Sequence, residues 1–242
     1  MTAAAELAAT AARVRAQIRA AAERAGRDPA TVTLVAVSKT QPAEAVCAAA
    51  AGGLRDFGEN RVEEAVPKLQ AVAQSGAAGL RWHMIGHVQS RKAREVAAAG
   101  FALVHSVDSL KLAERLGRAA AEAGRRQAVL LECNVSGEAA KAGFAAADPA
   151  AWPALLAEFE QVLAVPGLEV RGLMTMAPYG TDHVTARPIF ARLRALRDAA
   201  QARCPAAAWA ELSMGMTDDF EGAIAEGATL VRVGRAIFGE RA

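Results

Sequence analysis

A chain of 242 residues with 53% hydrophobic content can bury one substantial core, either as a single α/β barrel or as two smaller domains. A formal charge of +2 gives no strong field for nucleic acid or an acidic membrane. No apolar run approaches the roughly 18 residues of a membrane span, and no secretory signal is present.

Cys47, Cys133 and Cys204 are odd in number, far apart and in no metal spacing, so they read as small core residues of a reducing compartment. At the N-terminus, Leu7, Ala11, Val14, Ile18, Ala21 and Ala25 recur at steps of three and four and predict an amphipathic helix. Glu6, Glu23 and the lack of serine argue against a transit peptide, so a cytoplasmic protein with a structural first helix is expected.

From there strand-like and helix-like segments alternate. Strands are predicted over 31–39, 54–60, 80–87, 101–108, 127–136, 170–177, 209–214 and 229–238. Helices are predicted over 42–52, 61–75, 88–99, 109–123, 151–164, 183–203 and 217–226. Ser109 or Asp108 is a fair N-cap for the fourth of these, and Pro188 should bend the sixth or mark its true start. The loop over 137–149 is longer than the others, and 178–182 is turn-rich. Eight strands joined by helices imply parallel pairing with right-handed crossovers, and eight such units close into a (β/α)8 TIM barrel. An open doubly wound sheet is the rival, but there is no Gly-x-Gly-x-x-Gly after a strand, no Walker loop and no domain linker. One barrel domain over 1–242 is therefore expected. The usual closing helix after the eighth strand is missing from the pattern, and the N-terminal helix is expected to replace it.

In such a barrel the carboxyl ends of the strands form one rim, where ligands bind. That rim would contain Lys39, Asn60, His87, Asp108, Asn134, Ser136, Met176, Ser213 to Met216, and Gly234 with Arg235. Lys39 shares parity with Thr33, Val35 and Val37, so it is drawn inward if that face is buried. Partial loss of hydration favours the neutral, nucleophilic amine, which makes Lys39 the candidate Schiff-base residue. The plainer reading is a lysine at a strand end reaching solvent.

Ser213-Met214-Gly215-Met216-Thr217-Asp218-Asp219 places a hydroxyl, a glycine and a helix start together, and Gly234-Arg235 adds a second glycine turn. Barrels often bind phosphate after strands seven and eight, where helix N-terminal amides hold anions. Asp218 and Asp219 could instead satisfy those amides themselves. A nucleophilic lysine with a phosphate cradle opposite it suits a phosphorylated aldehyde, and pyridoxal 5'-phosphate has both groups.

The residues that carry these features also carry a resemblance. Val35-Ala36-Val37-Ser38-Lys39, Phe57-Gly58-Glu59-Asn60, Trp82-His83-Met84-Ile85-Gly86-His87-Val88-Gln89, Arg171-Gly172-Leu173-Met174-Thr175-Met176 and Leu212-Ser213-Met214-Gly215-Met216-Thr217-Asp218-Asp219-Phe220 are similar to motifs of the pyridoxal phosphate homeostasis protein family. Its members resemble the barrel domain of alanine racemases. The resemblance implies a non-catalytic protein that binds pyridoxal 5'-phosphate and helps control its free level and its supply to pyridoxal phosphate-dependent apoenzymes; a monomer is expected. By matching position, Lys39 would form the aldimine. Ser213 with the backbone around Met214, and Gly234 with Arg235, would hold the phosphate. Arg232 would lie near the pyridine nitrogen, with Asn60 and His87 around the ring. A fixed cation there keeps the nitrogen unprotonated and weakens the ring as an electron sink. Two residues depart from the family pattern: Arg235 stands where many relatives have Thr or Ser, and Arg91 replaces the commoner Asn.

Two enzymatic readings stand beside this one. A racemase needs a second proton-transfer residue, a tyrosine supplied by a further β-domain, and Tyr179, the only tyrosine here, sits in a Pro-Gly turn. A Schiff-base aldolase shares the barrel, the lysine and the phosphate loops, but no acid/base pair for it can be assembled. His83 and His87 would lie about 13 Å apart at ~3.3 Å per residue, too far to share a metal. Glu59, Glu63 and Glu64 read as a solvated helix start, and positions 91, 92 and 94 as a small basic surface patch.

Overall fold

The computed structural model describes residues 3–239. Its strands are β1 (Thr33–Val37), β2 (Asp56–Glu59), β3 (Arg81–Met84), β4 (Leu103–Val107), β5 (Gln127–Asn134), β6 (Phe144–Ala145), β7 (Leu168–Met174), β8 (Glu211–Ser213) and β9 (Leu230–Val233). All their ladders are parallel, and the order β4-β3-β2-β1-β9-β8-β7-β5 is closed into a ring by β4 pairing with β5. The result is the expected (β/α)8 barrel.

The helices are α1 (Ala3–Arg24), α2 (Ala43–Ala51), α3 (Val62–Gln74), α4 (Ala93–Ala99), α5 (Leu110–Glu122), α6 (Trp152–Leu163), α7 (His183–Arg203), α8 (Phe220–Ala225) and α9 (Arg235–Phe238). None of the described helices is long and apolar enough to cross a membrane.

Alternating strand residues serve two different cores. Val35, Leu103, Ala128, Leu130, Met174 and Leu230 meet inside the ring. Their neighbours, such as Ala36, Phe57, Val104, Leu131 and Leu173, face outward into the layer shared with the helices. Because both faces are covered, the strands read as near-continuous apolar runs rather than as alternating ones.

The differences from the sequence expectation lie at element ends. The last strand stops at Val233 rather than 238, because the chain turns at Gly234 into the single turn of α9. A short closing helix is therefore present, and α1 covers it rather than replacing it. Ala11, Val14, Ile18, Ala21 and Ala22 form the buried face of α1. Thr10 Oγ donates to the Ile237 carbonyl at 2.9 Å, and Arg27 donates to the Ile224 carbonyl at 2.8 Å, which ties α1 to α9 and α8.

Other boundaries moved for local reasons. Residues after Val88 first make a short 3-10 turn (Ser90–Lys92) before α4 starts. The long loop after β5 contributes β6, which pairs Phe144 with Cys133. α7 starts at His183, with Asp182 accepting from the amides of Val184 and Thr185, and runs through Pro188. The hydrogen bond lost at Pro188 would have gone to the carbonyl of Val184, an exposed residue where water can replace it. Pro42 stands at the N-cap of α2, one place earlier than expected.

Close approach of two rim loops requires glycine at one position. A Cβ on Gly86 would lie 2.3 Å from the Asn60 carbonyl oxygen, so the β3 loop rests on the β2 loop with no space between. Gly86→Ala should cost about 1–3 kcal/mol by overpacking. A denaturant midpoint equal to the parent's would show that these loops separate without penalty.

Candidate functional site

Lys39 follows β1 by two residues, in the turn Ser38-Lys39-Thr40 at the carboxyl rim, and is half-buried. It continues the parity of Val35, which points into the ring. Gly234, at the end of β9, sits against β1: a Cβ there would meet Val37 at 3.3 Å. β1 and β9 are neighbours and β8 is next, so Lys39 and the two glycine turns share one sector of the rim rather than facing each other across the barrel. That arrangement corrects the expectation of opposite sides.

Within this sector Arg232 points into the ring and is 4% exposed. Its guanidinium donates to Ser213 Oγ at 2.6 Å and to the Thr175 carbonyl at 2.9 Å, and among the described residues no carboxylate is in ion-pair contact with it. Burial pushes Arg232 down to about 10, although the charges of Asp219 and Glu132 pull it back up.

Ser213 is fully buried, and its hydroxyl belongs to a longer file of hydrogen bonds. His105 Nδ1 lies 2.8 Å from Ser213 Oγ, His105 Nε2 lies 2.9 Å from His83 Nδ1, and His83 Nε2 lies 3.0 Å from Asp56 Oδ1. Arg81 closes the far end with two bonds of 2.6 Å to the Asp56 carboxylate. Burial alone would raise Asp56, but hydrogen bonds from His83 and Arg81 outweigh it and hold the carboxyl below its usual range. An ionised Asp56 can only accept, so His83 Nε2 donates to it. His105 bonds to His83 Nδ1 through Nε2 and to Ser213 Oγ through Nδ1, donating at one ring nitrogen and accepting at the other. Burial, with His83 and Arg232 adding to it, pushes His105 well below the usual histidine value, which keeps His105 neutral.

The phosphate candidates after β8 are therefore engaged inside the protein. Ser213 Oγ is hydrogen-bonded to His105 and accepts from Arg232, the Met214 amide donates to the Leu230 carbonyl at 3.1 Å, and the Met216 amide donates to Asp219. The contrary reading of Asp219 as an internal acceptor thus applies to one of these amides. Arg235 is exposed and ion-paired with Asp218.

On the remaining rim, His87 is exposed and its Nδ1 lies 3.0 Å from the Asp108 carboxylate, while Asn60 is half-buried beneath Gly86. His83 faces the ring interior and His87 the rim, and among the described residues no group of three potential metal ligands occurs.

Several residues were not recognised from sequence. Glu59 is not a solvated helix start: it ends β2 with 0% exposure and accepts from Ser38 Oγ at 2.7 Å and Lys68 Nζ at 2.8 Å. The available signal was parity, since Glu59 follows Phe57 by two and so faces the helices with it. Glu132, two residues beyond the interior Leu130, is 4% exposed, and its Oε2 has no hydrogen-bond partner. Burial raises Glu132 to about 7, and Asp108 adds to the shift against opposing pulls from Arg232 and His87.

Comparison with known proteins places this geometry. The sequence profile described as "Alanine racemase, N-terminal domain" matches residues 10–242. The chain is 48% identical over 230 residues to the pyridoxal phosphate homeostasis protein of Pseudomonas aeruginosa, covering 95% of this chain and 94% of that one. It is 40% identical to the protein of the same name from Escherichia coli, with the same coverage of 95% and 94%. The chain belongs to the pyridoxal phosphate homeostasis protein family. Among solved structures, PipY of Synechococcus elongatus with PLP bound superposes with a TM-score of 0.82 at 39% identity, covering 96% of this chain and all (100%) of that one. The alanine racemase of Streptomyces coelicolor matches with a TM-score of 0.71 at 21% identity, over 98% of this chain but 59% of the racemase, a likeness of fold alone.

The raised Glu132 gives a sign that can be checked. In the unfolded chain this carboxyl ionises near its ordinary value of 4.5, whereas in the folded chain it stays protonated to about 7. The folded state therefore binds more protons between those limits, and stability falls as pH rises through that window, by at most about 3 kcal/mol. Thermal unfolding of cofactor-free protein across this range should show the decline, and Glu132→Gln should flatten it. Identical pH profiles for the two proteins would mean that Glu132 ionises without penalty.

Proposed function

We propose that this protein binds pyridoxal 5'-phosphate at the β1–β9–β8 sector of its rim and serves its storage and supply rather than turnover. The observation that carries the reading is the junction of three things: the Lys39 turn, the Gly234 turn against Val37, and the buried Arg232, which no carboxylate among the described residues contacts. A buried guanidinium compensated only at a distance suits a ligand with an electron-rich nitrogen and an anionic arm. When bound, pyridoxal phosphate supplies an aldehyde that condenses with a primary amine and an electron-withdrawing ring.

Lys39 offers that amine. Gly234 and Arg235 are the principal holders of the phosphate, with Ser213 and Met214 lining the adjacent turn. Arg232 stands by the pyridine nitrogen and, as a fixed cation, disfavours its protonation, which weakens electron withdrawal by the ring. Asn60 and His87 border the ring, His87 being oriented by Asp108.

The non-catalytic reading draws support from Tyr179, the only tyrosine in the chain, which is 95% exposed on the loop after β7. No racemase-like second base is formed by it there. We further infer a cytoplasmic monomer whose clients are apoenzymes that need this cofactor. Direct supply predicts that an apoenzyme regains activity from loaded protein faster than the cofactor dissociates into buffer, and equal rates would mean release through solution.

Purified protein should absorb in the visible, lose that band on borohydride reduction and carry the reduced pyridoxyl group on Lys39 by mass mapping. Lys39→Ala should abolish the band while circular dichroism stays unchanged, and alanine should not be racemised by the parent. Colour that survives Lys39→Ala would identify a different amine, and a protein that takes up no cofactor would end the proposal.

A further inference from the structure

Lys39 sits between two residues that are each held from behind by α3 and the end of β2. On one side, Lys68 Nζ donates to the Ser38 carbonyl at 2.8 Å, and Ser38 Oγ donates to Glu59 Oε1 at 2.7 Å. On the other, the Thr40 amide donates to Glu64 Oε1. Lys68 joins the two halves, because the same ammonium donates to Glu59 Oε1 and to Glu64 Oε1, each at 2.8 Å. Its three donors are thus all assigned, and Lys68 is 7% exposed and Glu59 fully buried.

This arrangement holds a backbone conformation that the sequence does not favour. Thr40 has φ +66° and is the only residue other than glycine with positive φ among the described residues. A β-branched residue in the left-handed region is disfavoured sterically and persists only where its surroundings impose it. Here the imposing groups are identifiable as Glu64 and Lys68, and the residue displaced by the sharp turn is Lys39.

We propose that Lys68, with Glu59 and Glu64, is a positioning centre for Lys39: it sets the turn that presents the lysine amine for covalent attachment. The network lies on the helix side of β1 and β2, whereas the sector that holds Arg232 and Ser213 lies inside the ring. It therefore acts on attachment through the main chain of residues 38–40 and not by touching the ligand. Attachment joins the Lys39 nitrogen to the aldehyde carbon and releases one water, so its rate depends on how well the amine is aimed. Non-covalent binding of phosphate and ring does not depend on that aim.

This inference rests on Lys39 being the attachment amine, and two probes separate the claims. With cofactor-free protein, pyridoxal 5'-phosphate reports attachment through the rise of its visible band. Pyridoxine 5'-phosphate, which has an alcohol in place of the aldehyde, reports binding alone by calorimetry. Glu64→Ala removes the acceptor of the Thr40 amide from a half-exposed site and should slow attachment by about tenfold to a hundredfold. Its affinity for pyridoxine 5'-phosphate should stay within about twofold of the parent's. Glu64→Gln keeps an oxygen at the same place and should restore most of the rate. The pair Glu59→Gln with Lys68→Met, which avoids leaving a buried unpaired carboxylate, should be as slow as Glu64→Ala.

Parental rates in Glu64→Ala and in the pair would overturn the positioning role. So would an equal loss of rate and of pyridoxine 5'-phosphate affinity, which indicates general damage to the site. A parent protein labelled elsewhere than Lys39 would instead overturn the attachment reading on which this inference depends.

Discussion

A guanidinium buried inside a closed ring of strands constrains everything around it. Arg232 lies in register with Val35 of the neighbouring strand, below the rim, where hydration is lost and no carboxylate among the described residues touches it. Its charge is tolerated because Ser213 and the Thr175 carbonyl accept its protons and because Asp219 and Glu132 supply negative potential from further off. Each of those neighbours is shifted in turn. Asp219 and Glu132 are raised by their own burial, and His105 is kept neutral. The rim above this cluster is accordingly positive at its centre and flanked by carboxyls whose ionisation burial disfavours, a setting suited to an anionic aromatic ligand.

The barrel itself was legible because parallel strands buried on both faces leave continuous apolar runs, and eight such runs punctuated by helices admit few topologies. The rim was legible for the related reason that polar residues and glycines collect where those runs end. Boundaries were less so. Nothing in Leu230 to Phe238 marks the strand's end except Gly234, and a glycine in an apolar run is as compatible with a bulge as with a turn into a helix.

The polar groups beneath the rim were largely illegible. Glu59 stands among glutamates of a helix start, and only its parity with Phe57 separates it from Glu63 and Glu64. Its partner Lys68 is nine residues away on another element, so the pair exists only after β2 and α3 pack. His83 and His105 present the same difficulty in a stronger form, being brought together by strand pairing alone. Sequence distance hides such contacts, whereas Lys39 is announced by its own strand.

The file from Arg81 to Arg232 has one further consequence. Arg81 and Arg232 can only donate at its two ends, and neutral His105 donates at one ring nitrogen and accepts at the other, so the members between them change roles only together. The two mouths of the barrel are thereby linked by polarity as well as by sheet. A change at Arg81, at the opposite mouth from Ser213, is transmitted as a change in the hydrogen-bonding role of Ser213, without any strand having to move.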